Sequence, residues 1–233
     1  PCPAIGDVGR HLHNAAAVCD GGRVIARRYK SLLPTYDVFD EHRYFEPARG
    51  PDAHEPVDID GVRFGITICE DLWNDDELIP RPLYHDEPVR CVAEAGAEVL
   101  VNCSASPFAL DKHDFRMSLF RSAAERHNIP IVYCNQVGGN DELVFDGNSC
   151  MVDSGGKTVA HARDFETDLL FVELPNKANQ NAQAMRNVAP RVGVESVYHA
   201  LVLGLRDYLR KCGFSSAVVG LSGGIDSAVT AAV

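Results

Sequence analysis

The sequence predicts an α/β fold, in which strands and helices alternate around a layered core. Strand and helix patterns alternate between residues 62 and 135, and hairpin patterns lie on either side of that region. This order is typical of a sheet covered by helices. Residues 175–193 are poor in apolar side chains and interrupted by Pro and Gly, which predicts a linker. We therefore expect one domain at residues 1–174 and a second at residues 194–233.

The individual elements follow from hydrophobic periodicity and from turn residues. The first half of the chain predicts a hairpin (15–18 and 23–26), an irregular loop (31–60), a strand (62–69), a helix (88–95), a strand (99–102) and a helix (113–127). In the last of these helices, Phe115, Leu119, Ala123 and Ala124 lie on one stripe. The second half predicts a strand (129–135), a turn (138–141), a hairpin (149–152 and 158–162), a strand (169–174), an amphipathic helix (197–212) and a buried strand (217–221).

Composition narrows the classes of function. The 233 residues carry a net charge of -11 without a block of Lys or Arg, which disfavours a nucleic-acid partner. No apolar run approaches the roughly 20 residues of a membrane span, and no signal peptide opens the chain, so we expect a cytoplasmic protein. The eight cysteines form no C-x-x-C pair, which predicts reduced thiols and no structural metal. Residue 1 is Pro rather than Met, which suggests an internal piece of a longer protein.

A thiol stands where the strand at residues 62–69 ends. Phe64, Ile66 and Ile68 alternate with smaller residues, and the acidic Glu70 and Asp71 follow Cys69 at once. A nucleophile at the end of a strand is exposed at the edge of a sheet. The alternative is an inert, buried cysteine. The two adjacent anions would raise the pKa of the thiol, so catalysis needs a cation or a general base from elsewhere in the chain.

The second motif is Ser222-Gly223-Gly224-Ile225-Asp226-Ser227 between a predicted strand and a predicted helix. Its glycines let backbone N–H groups face an anion, and the start of a helix adds further donors. Asp226 suits a magnesium ion or a helix N-cap. The Walker A lysine is missing. The alternative is a glycine-rich turn with a capping aspartate.

Longer segments carry a family resemblance. GLSGGIDSA resembles the pyrophosphate loop of N-type ATP pyrophosphatases. The segments YKSLLPTYDVFDEHRYFEP, GITICEDLW, NCSASPF and NQVGGNDELVFDGNS are similar to the glutaminase domain of glutamine-dependent NAD⁺ synthetases, which belong to the nitrilase superfamily. The resemblance covers nearly the whole chain. It implies a nitrilase-like α-β-β-α sandwich whose first strands are missing, followed by the start of a Rossmann-like parallel-sheet domain of the adenine-nucleotide alpha hydrolase type.

The resemblance also implies an activity and its small-molecule partners. Glutamine hydrolysis would supply ammonia for the amidation of deamido-NAD⁺, with ATP converted to AMP and pyrophosphate and with Mg²⁺ offsetting phosphate charge. No tightly bound organic cofactor is expected, and the full-length protein is expected to be a homo-oligomer.

Each expected site residue matches a family motif. Cys69 matches the nucleophile, Lys30 the catalytic lysine and Glu41 a supporting glutamate. The pattern also suggests Tyr36, Ser106 and Lys112 as contacts for glutamine, and a loop for ATP. The loop comprises Gly220, Leu221, Ser222, Gly223, Gly224, Ile225, Asp226 and Ser227.

The chain departs from the family pattern in two respects. The general-base glutamate of the family lies in a segment before residue 1, and the synthetase domain stops in the helix after the loop. The piece itself is therefore expected to be inactive. Lys30 and Lys112 also have ordinary alternatives as a solvated strand-end residue and a surface helix-start residue. Two other functions remain open: a stand-alone amidase in which residues 194–233 form a docking helix, and a non-catalytic assembly module.

Overall fold

A mixed β-sheet with helices on one face is the main element of the fold. The computed structural model describes residues 2–3, 9–76, 78–79, 81, 83–174, 183–184 and 187–233. Its strands are β1 (Cys2–Pro3), β2 (Leu12–His13), β3 (Ala15–Asp20), β4 (Arg23–Tyr29), β5 (Val57–Ile59), β6 (Val62–Ile68), β7 (Val99–Ser104), β8 (Ile131–Asn135), β9 (Val137–Asn140), β10 (Leu143–Asp146), β11 (Cys150–Val152), β12 (Thr158–His161), β13 (Val172–Glu173) and β14 (Gln183–Ala184). Its α-helices are α1 (Pro88–Glu94), α2 (Lys112–His127), α3 (Gly193–Lys211) and α4 (Ile225–Ala232). Short 3₁₀ helices cover Glu41–Arg43, Pro51–His54 and Cys69–Leu72.

The central sheet has the strand order β12-β11-β8-β7-β6-β5. Strands β6, β7 and β8 are parallel, and the outer strands are antiparallel to their neighbours. Parallel strands need crossover connections, which α1 and α2 provide here. The carboxyl ends of β6, β7 and β8 therefore lie at one edge of the sheet, and the residues that follow them meet there.

The hydrophobic core fills the space between this sheet and the helices α1 and α2. It consists of Leu72, Val92, Leu100, Leu119, Phe120, Ala123, Ala124, Ile129, Ile131, Tyr133, Cys150 and Val152. The β3–β4 hairpin contacts β6. Of the predicted stripe on α2, Leu119, Ala123 and Ala124 are buried. Phe115 is 41% exposed instead, and its ring centre lies 6.0 Å from that of the partly buried Trp73.

A second unit is formed by the β9–β10 ribbon and α3. The glycines at 138 and 139 do not make the predicted turn, because both belong to β9 and the turn lies at Asp141 and Glu142. The helix approaches the ribbon closely: a Cβ on Gly139 would lie 3.0 Å from the Gly204 Cα. The Asp207 carboxylate accepts the Gly139 N–H at 2.9 Å, and Lys211 Nζ donates to the Gly139 carbonyl at 2.5 Å.

Most other predicted elements appear with small shifts in their bounds. Both hairpins form, as do the strand ending at Ile68, the helices α1 and α2, and β7 and β8. The predicted irregular loop contains two 3₁₀ helices and β5, and the predicted strand at residues 169–174 is reduced to β13. Helix α3 begins at Gly193, the last residue of the predicted linker. Residues 175–182 and 185–186 of that linker lie outside the described residues.

The predicted strand at residues 217–221 is absent from the described structure, which is a correction. These residues form no ladder, and the Val218 side chain is 99% exposed. A parallel-type strand is apolar on both faces and requires neighbours to pair with and to cover it. Residues 187–233 provide no strand beside it. The described residues 187–233 therefore contain no parallel sheet of the kind expected for the second domain.

No helix in the described part of the chain is sufficiently long and apolar to cross a membrane.

We predict that Gly65→Ala destabilises the fold, because helix α1 crosses β6 directly above this residue. A Cβ on Gly65 would lie 2.0 Å from Val92 Cγ1 and 3.0 Å from Ala97 Cβ. Overpacking of this kind costs about 1–3 kcal/mol. Urea-induced unfolding measures the loss. Gly155→Ala is the matched control, since the nearest atom there, Asp153 Oδ1, is 3.4 Å away. Equal stability of the two variants would contradict the packing argument.

Candidate active site

A cleft of about 660 Å³ opens where the parallel strands end. Its lining includes Lys30, Glu41, Cys69, Glu70 and Ala105, which come from four separate stretches of the chain. The volume is in the range of small-molecule sites. The structure thus brings together the three residues expected to carry catalysis.

Cys69 follows β6 directly and begins a 3₁₀ turn. Its φ angle of 45° is unusual for a residue other than glycine. Such a conformation persists only where the surrounding structure imposes it. Burial raises the pKa of the thiol, whereas the Lys30 ammonium and a hydrogen bond from the Ala105 N–H lower it. The thiol therefore has both a cation and an N–H donor that favour its ionised form.

Lys30 is the buried cation of the cleft, with a side chain 1% exposed. Its Nζ donates to Glu41 Oε1 at 2.5 Å, and Asn14 Nδ2 donates to the other oxygen of the same carboxylate at 3.4 Å. A charged amine can be buried only if it is paired and hydrogen-bonded. The solvated alternative for Lys30 is therefore wrong, and Glu41 is the group that holds its ammonium in place.

Glu70 is a member of the site that sequence reasoning missed. Its carboxylate is buried and accepts hydrogen bonds from the Tyr36 hydroxyl at 2.8 Å and the Tyr84 hydroxyl at 3.2 Å. Burial raises the pKa of Glu70, and the Tyr36 hydrogen bond and the Lys30 charge lower it. Its position directly after Cys69 was the available signal, but the sequence indicated only an anion beside the thiol.

Tyr36 is 42% exposed, and its hydroxyl reaches the cleft through Glu70. Burial and the neighbouring carboxylate raise the pKa of its phenol, which stays protonated and donates to Glu70. The loop that carries Tyr36 also carries Glu41, whose 3₁₀ helix begins five residues later. One irregular segment therefore positions both the partner of Lys30 and the partner of Glu70.

Ser106 and Lys112 lie beside the cleft without lining it in the described structure. Ser106 is buried, its N–H donates to Asn135 Oδ1 at 2.9 Å, and its hydroxyl accepts from Arg116 Nη2 at 3.4 Å. Arg116 in turn forms a buried ion pair with Asp146. This polar network fixes the loop after β7, which also contains Ala105.

Lys112 is not an ordinary surface residue. Its Nζ donates to the Pro107 carbonyl at 3.1 Å and lies 5.1 Å from the centre of the Trp73 ring. Burial and the charge of Arg116 lower the pKa of this amine, and the charges of Cys69 and Glu70 raise it. Lys112 is therefore within electrostatic range of the Cys69 thiol.

The loop expected to bind ATP is exposed and held mainly by its own residues. The Ser227 hydroxyl lies 3.1 Å from the Ser222 hydroxyl and donates to the Gly224 carbonyl at 3.0 Å, and Gly223 has a φ of 86°. The helix N-cap is Gly224, without a side-chain hydrogen bond, so the expected Asp226 cap is wrong. Asp226 lies instead in the first turn of α4.

Asp226 has limited support as a metal ligand. The described residues contain no group of three or more His, Cys, Asp and Glu side chains placed to hold a metal ion. One carboxylate does fit magnesium, which is often bound by one or two carboxylates together with substrate phosphates.

Comparison with known proteins identifies the family. The carbon-nitrogen hydrolase family matches residues 4–183, and the NAD synthase family matches residues 197–233. The first match covers most of the chain. The chain belongs to the carbon-nitrogen hydrolase family. This membership confirms the nitrilase-like fold class that the sequence predicted.

The chain is similar to glutamine-dependent NAD+ synthetases and to a carbon-nitrogen hydrolase. The chain is 43% identical over 96% of its length to the glutamine-dependent NAD(+) synthetase of Synechocystis sp., covering 40% of that protein. A solved structure of the glutamine-dependent NAD+ synthetase from Acinetobacter baumannii in complex with ADP superposes with a TM-score of 0.85 at 32% identity, over 97% of this chain and 40% of that one. The carbon-nitrogen hydrolase of Helicobacter pylori G27 superposes with a TM-score of 0.55 at 27% identity, over 66% of this chain and 54% of that one. The chain thus spans about 40% of the length of the two synthetases.

We predict that the 233-residue chain binds Mg-ATP more weakly than micromolar. Residues 215–226 are all exposed, and α4 has eight residues. Isolated helices shorter than about 12–15 residues are marginal in water, so the loop lacks a rigid frame. Titration calorimetry with Mg-ATP is the measurement, and the complete gene product is the comparison. Micromolar binding to the 233-residue chain would show that residues 187–233 already hold a competent site.

Proposed function

We propose that the gene product is a glutamine-dependent NAD⁺ synthetase in which this chain contributes the glutamine-hydrolysing site and the start of the synthetase domain. The observation that carries the proposal is the Cys69 thiol beside the buried Lys30–Glu41 pair. The Ser222–Ser227 loop in the same chain and the two family matches support the pairing of hydrolysis with synthesis. We divide the chain at residues 1–174, 175–193 and 194–233.

In the first half of the reaction, the Cys69 thiolate attacks the side-chain amide carbon of glutamine. The C–N bond breaks, a thioester forms, and ammonia leaves after the nitrogen has received a proton. Water then hydrolyses the thioester to glutamate and regenerates the thiol. Lys30 stabilises the negative charge on the sulfur and then on the carbonyl oxygen, because its ammonium is fixed by Glu41 before substrate arrives.

Glu41 is a positioning residue in this scheme rather than the general base. Its carboxylate is already engaged by Lys30 and Asn14. Glu70 is likewise engaged by two phenols. The proton of the thiol is therefore assigned to the glutamate that the family resemblance places before residue 1.

The charges around the cleft support an amino acid amide as substrate rather than a simple amide. Glutamine carries an α-ammonium and an α-carboxylate in addition to its side-chain amide. The Glu70–Tyr36 pair offers an anion and a phenol for the ammonium, and Lys112 offers a cation for the carboxylate. We propose Tyr36, Ser106 and Lys112 as glutamine contacts, with Ser106 acting through the loop after β7.

In the second half of the reaction, ATP adenylates the carboxylate of deamido-NAD⁺ and ammonia displaces AMP. We propose that residues 220–227 cradle the departing pyrophosphate, and that Asp226 helps to hold a magnesium ion that offsets phosphate charge. We propose a cytoplasmic location from the sequence pattern, and a homo-oligomeric assembly from the resemblance.

One observation favours a second candidate, a stand-alone amidase. Helix α3 packs on the β9–β10 ribbon through Asp207 and Lys211, as a docking helix of the hydrolase domain would. ATP–pyrophosphate exchange with deamido-NAD⁺ separates the candidates, because an amidase without a synthetase domain catalyses no exchange.

We predict that Cys69→Ala in the complete gene product abolishes glutamine-dependent NAD⁺ synthesis and preserves ammonia-dependent synthesis. The two chemistries use separate residues, so ammonia supplied from solution bypasses the missing thiol. Synthesis rates with each nitrogen donor are the measurement. Cys19→Ala, on the exposed β3 strand, is the control and should retain both activities. Equal loss of both activities in folded Cys69→Ala protein would argue against this division.

We predict that Lys30→Ala slows formation of the thioester far more than it weakens glutamine binding. Loss of one preorganised donor to a developing oxyanion costs about 10²–10³ in kcat, or about 2.7–4 kcal/mol. Rapid-quench measurement of acylation gives the rate, and the glutamine dependence gives the affinity. Lys157→Ala, at an exposed turn, is the control. A normal acylation rate with only a raised KM would remove Lys30 from the charge-stabilising role.

A further inference from the structure

The Asp71 side chain connects two parts of the cleft that are distant in sequence. Its Oδ1 accepts the backbone N–H groups of Ser31 and Leu32, each at 2.9 Å. Its Oδ2 accepts the backbone N–H of Ile68 at 3.0 Å. The first two groups follow Lys30 directly, and the third precedes Cys69 directly. One carboxylate, 3% exposed, therefore links the chain on either side of the cation and the nucleophile.

The segment after Lys30 has no regular secondary structure. Residues 30–40, all of which are described, form no helix or strand. On the hairpin side, the Lys30 N–H donates to the Asn14 carbonyl at 2.9 Å, and the Lys30 carbonyl accepts the Ala48 N–H at 2.9 Å. Both of these bonds lie away from the Cys69 turn. The Asp71 bonds tie the start of this segment to that turn, and the Tyr36–Glu70 hydrogen bond ties it again further along.

The Cys69 turn also depends on this side chain. Asp71 is the third residue of the turn, and its bond to the Ile68 N–H closes the turn across Cys69. Cys69 is held there at a φ of 45°, a conformation that costs free energy unless its surroundings impose it. The same carboxylate thus fixes the direction of the thiol and the place of the ammonium.

A carboxylate serves this purpose better than an amide. Three N–H donors converge on its two oxygens. An asparagine has one acceptor oxygen, and its NH₂ would face a backbone N–H. Burial raises the pKa of Asp71 to about 6, and the backbone N–H groups and Lys30 oppose that rise. At neutral pH the group is therefore ionised and all its acceptor positions are available.

We propose that Asp71 is a positioning residue that sets the placement of Lys30 relative to the Cys69 thiol. It acts through these two residues and touches no substrate. The proposal rests on the function proposed above, in which Lys30 stabilises charge on the sulfur and the oxyanion.

The test is the pH dependence of Cys69 alkylation by iodoacetamide, followed by mass spectrometry in the complete gene product. Lys30 and Glu70 are the charged groups that act on the thiol most directly. If Asp71 acted only as a nearby anion, its removal would lower the pKa of the thiol. If it positions Lys30, its removal displaces the ammonium and raises the pKa of the thiol instead. We expect Asp71→Asn to raise the apparent pKa of Cys69 and to slow alkylation at pH 7 by about tenfold, which corresponds to about one pKa unit.

Further variants separate positioning from a general loss of structure. In a Lys30→Met background, adding Asp71→Asn should produce no further rise, because the interaction is already lost. Asp207→Asn is the matched control, since this buried carboxylate also accepts a backbone N–H but lies on α3, and it should leave the Cys69 profile unchanged. With glutamine, Asp71→Asn should lower kcat by about 10–100-fold, with KM changing much less.

An unchanged or lowered pKa of Cys69 in Asp71→Asn would overturn the proposal, as would full additivity with Lys30→Met. If Asp71→Asn does not fold, Ser31→Pro removes one of the N–H donors and keeps the carboxylate, and the same criterion applies. The alkylation measurement needs no substrate. Absence of glutaminase activity would therefore refute the proposed function and still leave the role of Asp71 decided by the thiol.

Discussion

The burial of the Lys30 ammonium is the constraint on which the rest of the site depends. A charge with 1% exposure requires a partner, and Glu41 provides it at 2.5 Å. Glu41 can reach Lys30 only because the loop between them folds back, with Asn14 holding the second carboxylate oxygen. The same loop brings Tyr36 to Glu70. The cost of burying the Lys30 ammonium is thus offset by a set of contacts that also shapes the cleft.

The parallel part of the sheet supplies the other half of the cleft. Because β6, β7 and β8 run in one direction, Cys69, Ala105 and Asn135 arrive at the same edge. The Ala105 N–H lowers the pKa of the Cys69 thiol, and Asn135 binds the loop that contains Ala105. The sheet therefore fixes the Cys69 thiol and the neighbouring Ala105 N–H, and the irregular loop fixes the Lys30 cation. Asp71 joins these two halves.

The parts of the site that sequence could predict are those with a local pattern. Alternation from Phe64 to Ile68 placed the strand and its terminal thiol, because a half-buried strand leaves that signature in consecutive residues. Glu70 and Asp71 were both interpreted only as anions beside the thiol. Apart from the Ile68 N–H, their partners are phenols and backbone N–H groups 14–40 residues away, which leave no periodic trace in the sequence. The prediction of a strand at residues 217–221 was wrong for the opposite reason. Its apolar pattern is local, whereas the neighbouring strands that would stabilise it are distant in sequence or absent from the described residues.

Helix α3 belongs to one family match by sequence and to the other part of the chain by packing. The NAD synthase match begins at residue 197, within the helix Gly193–Lys211. Yet this helix meets the β9–β10 ribbon at a glycine pair, Gly139 and Gly204, with Asp207 and Lys211 bonded to the ribbon backbone. A helix held this closely cannot be removed without exposing the ribbon and the small cluster around Phe165, Ala200 and Leu203. The packing therefore places α3 with the hydrolase portion, although the proposed domain division begins at residue 194, and a truncation that keeps this packing ends after Lys211.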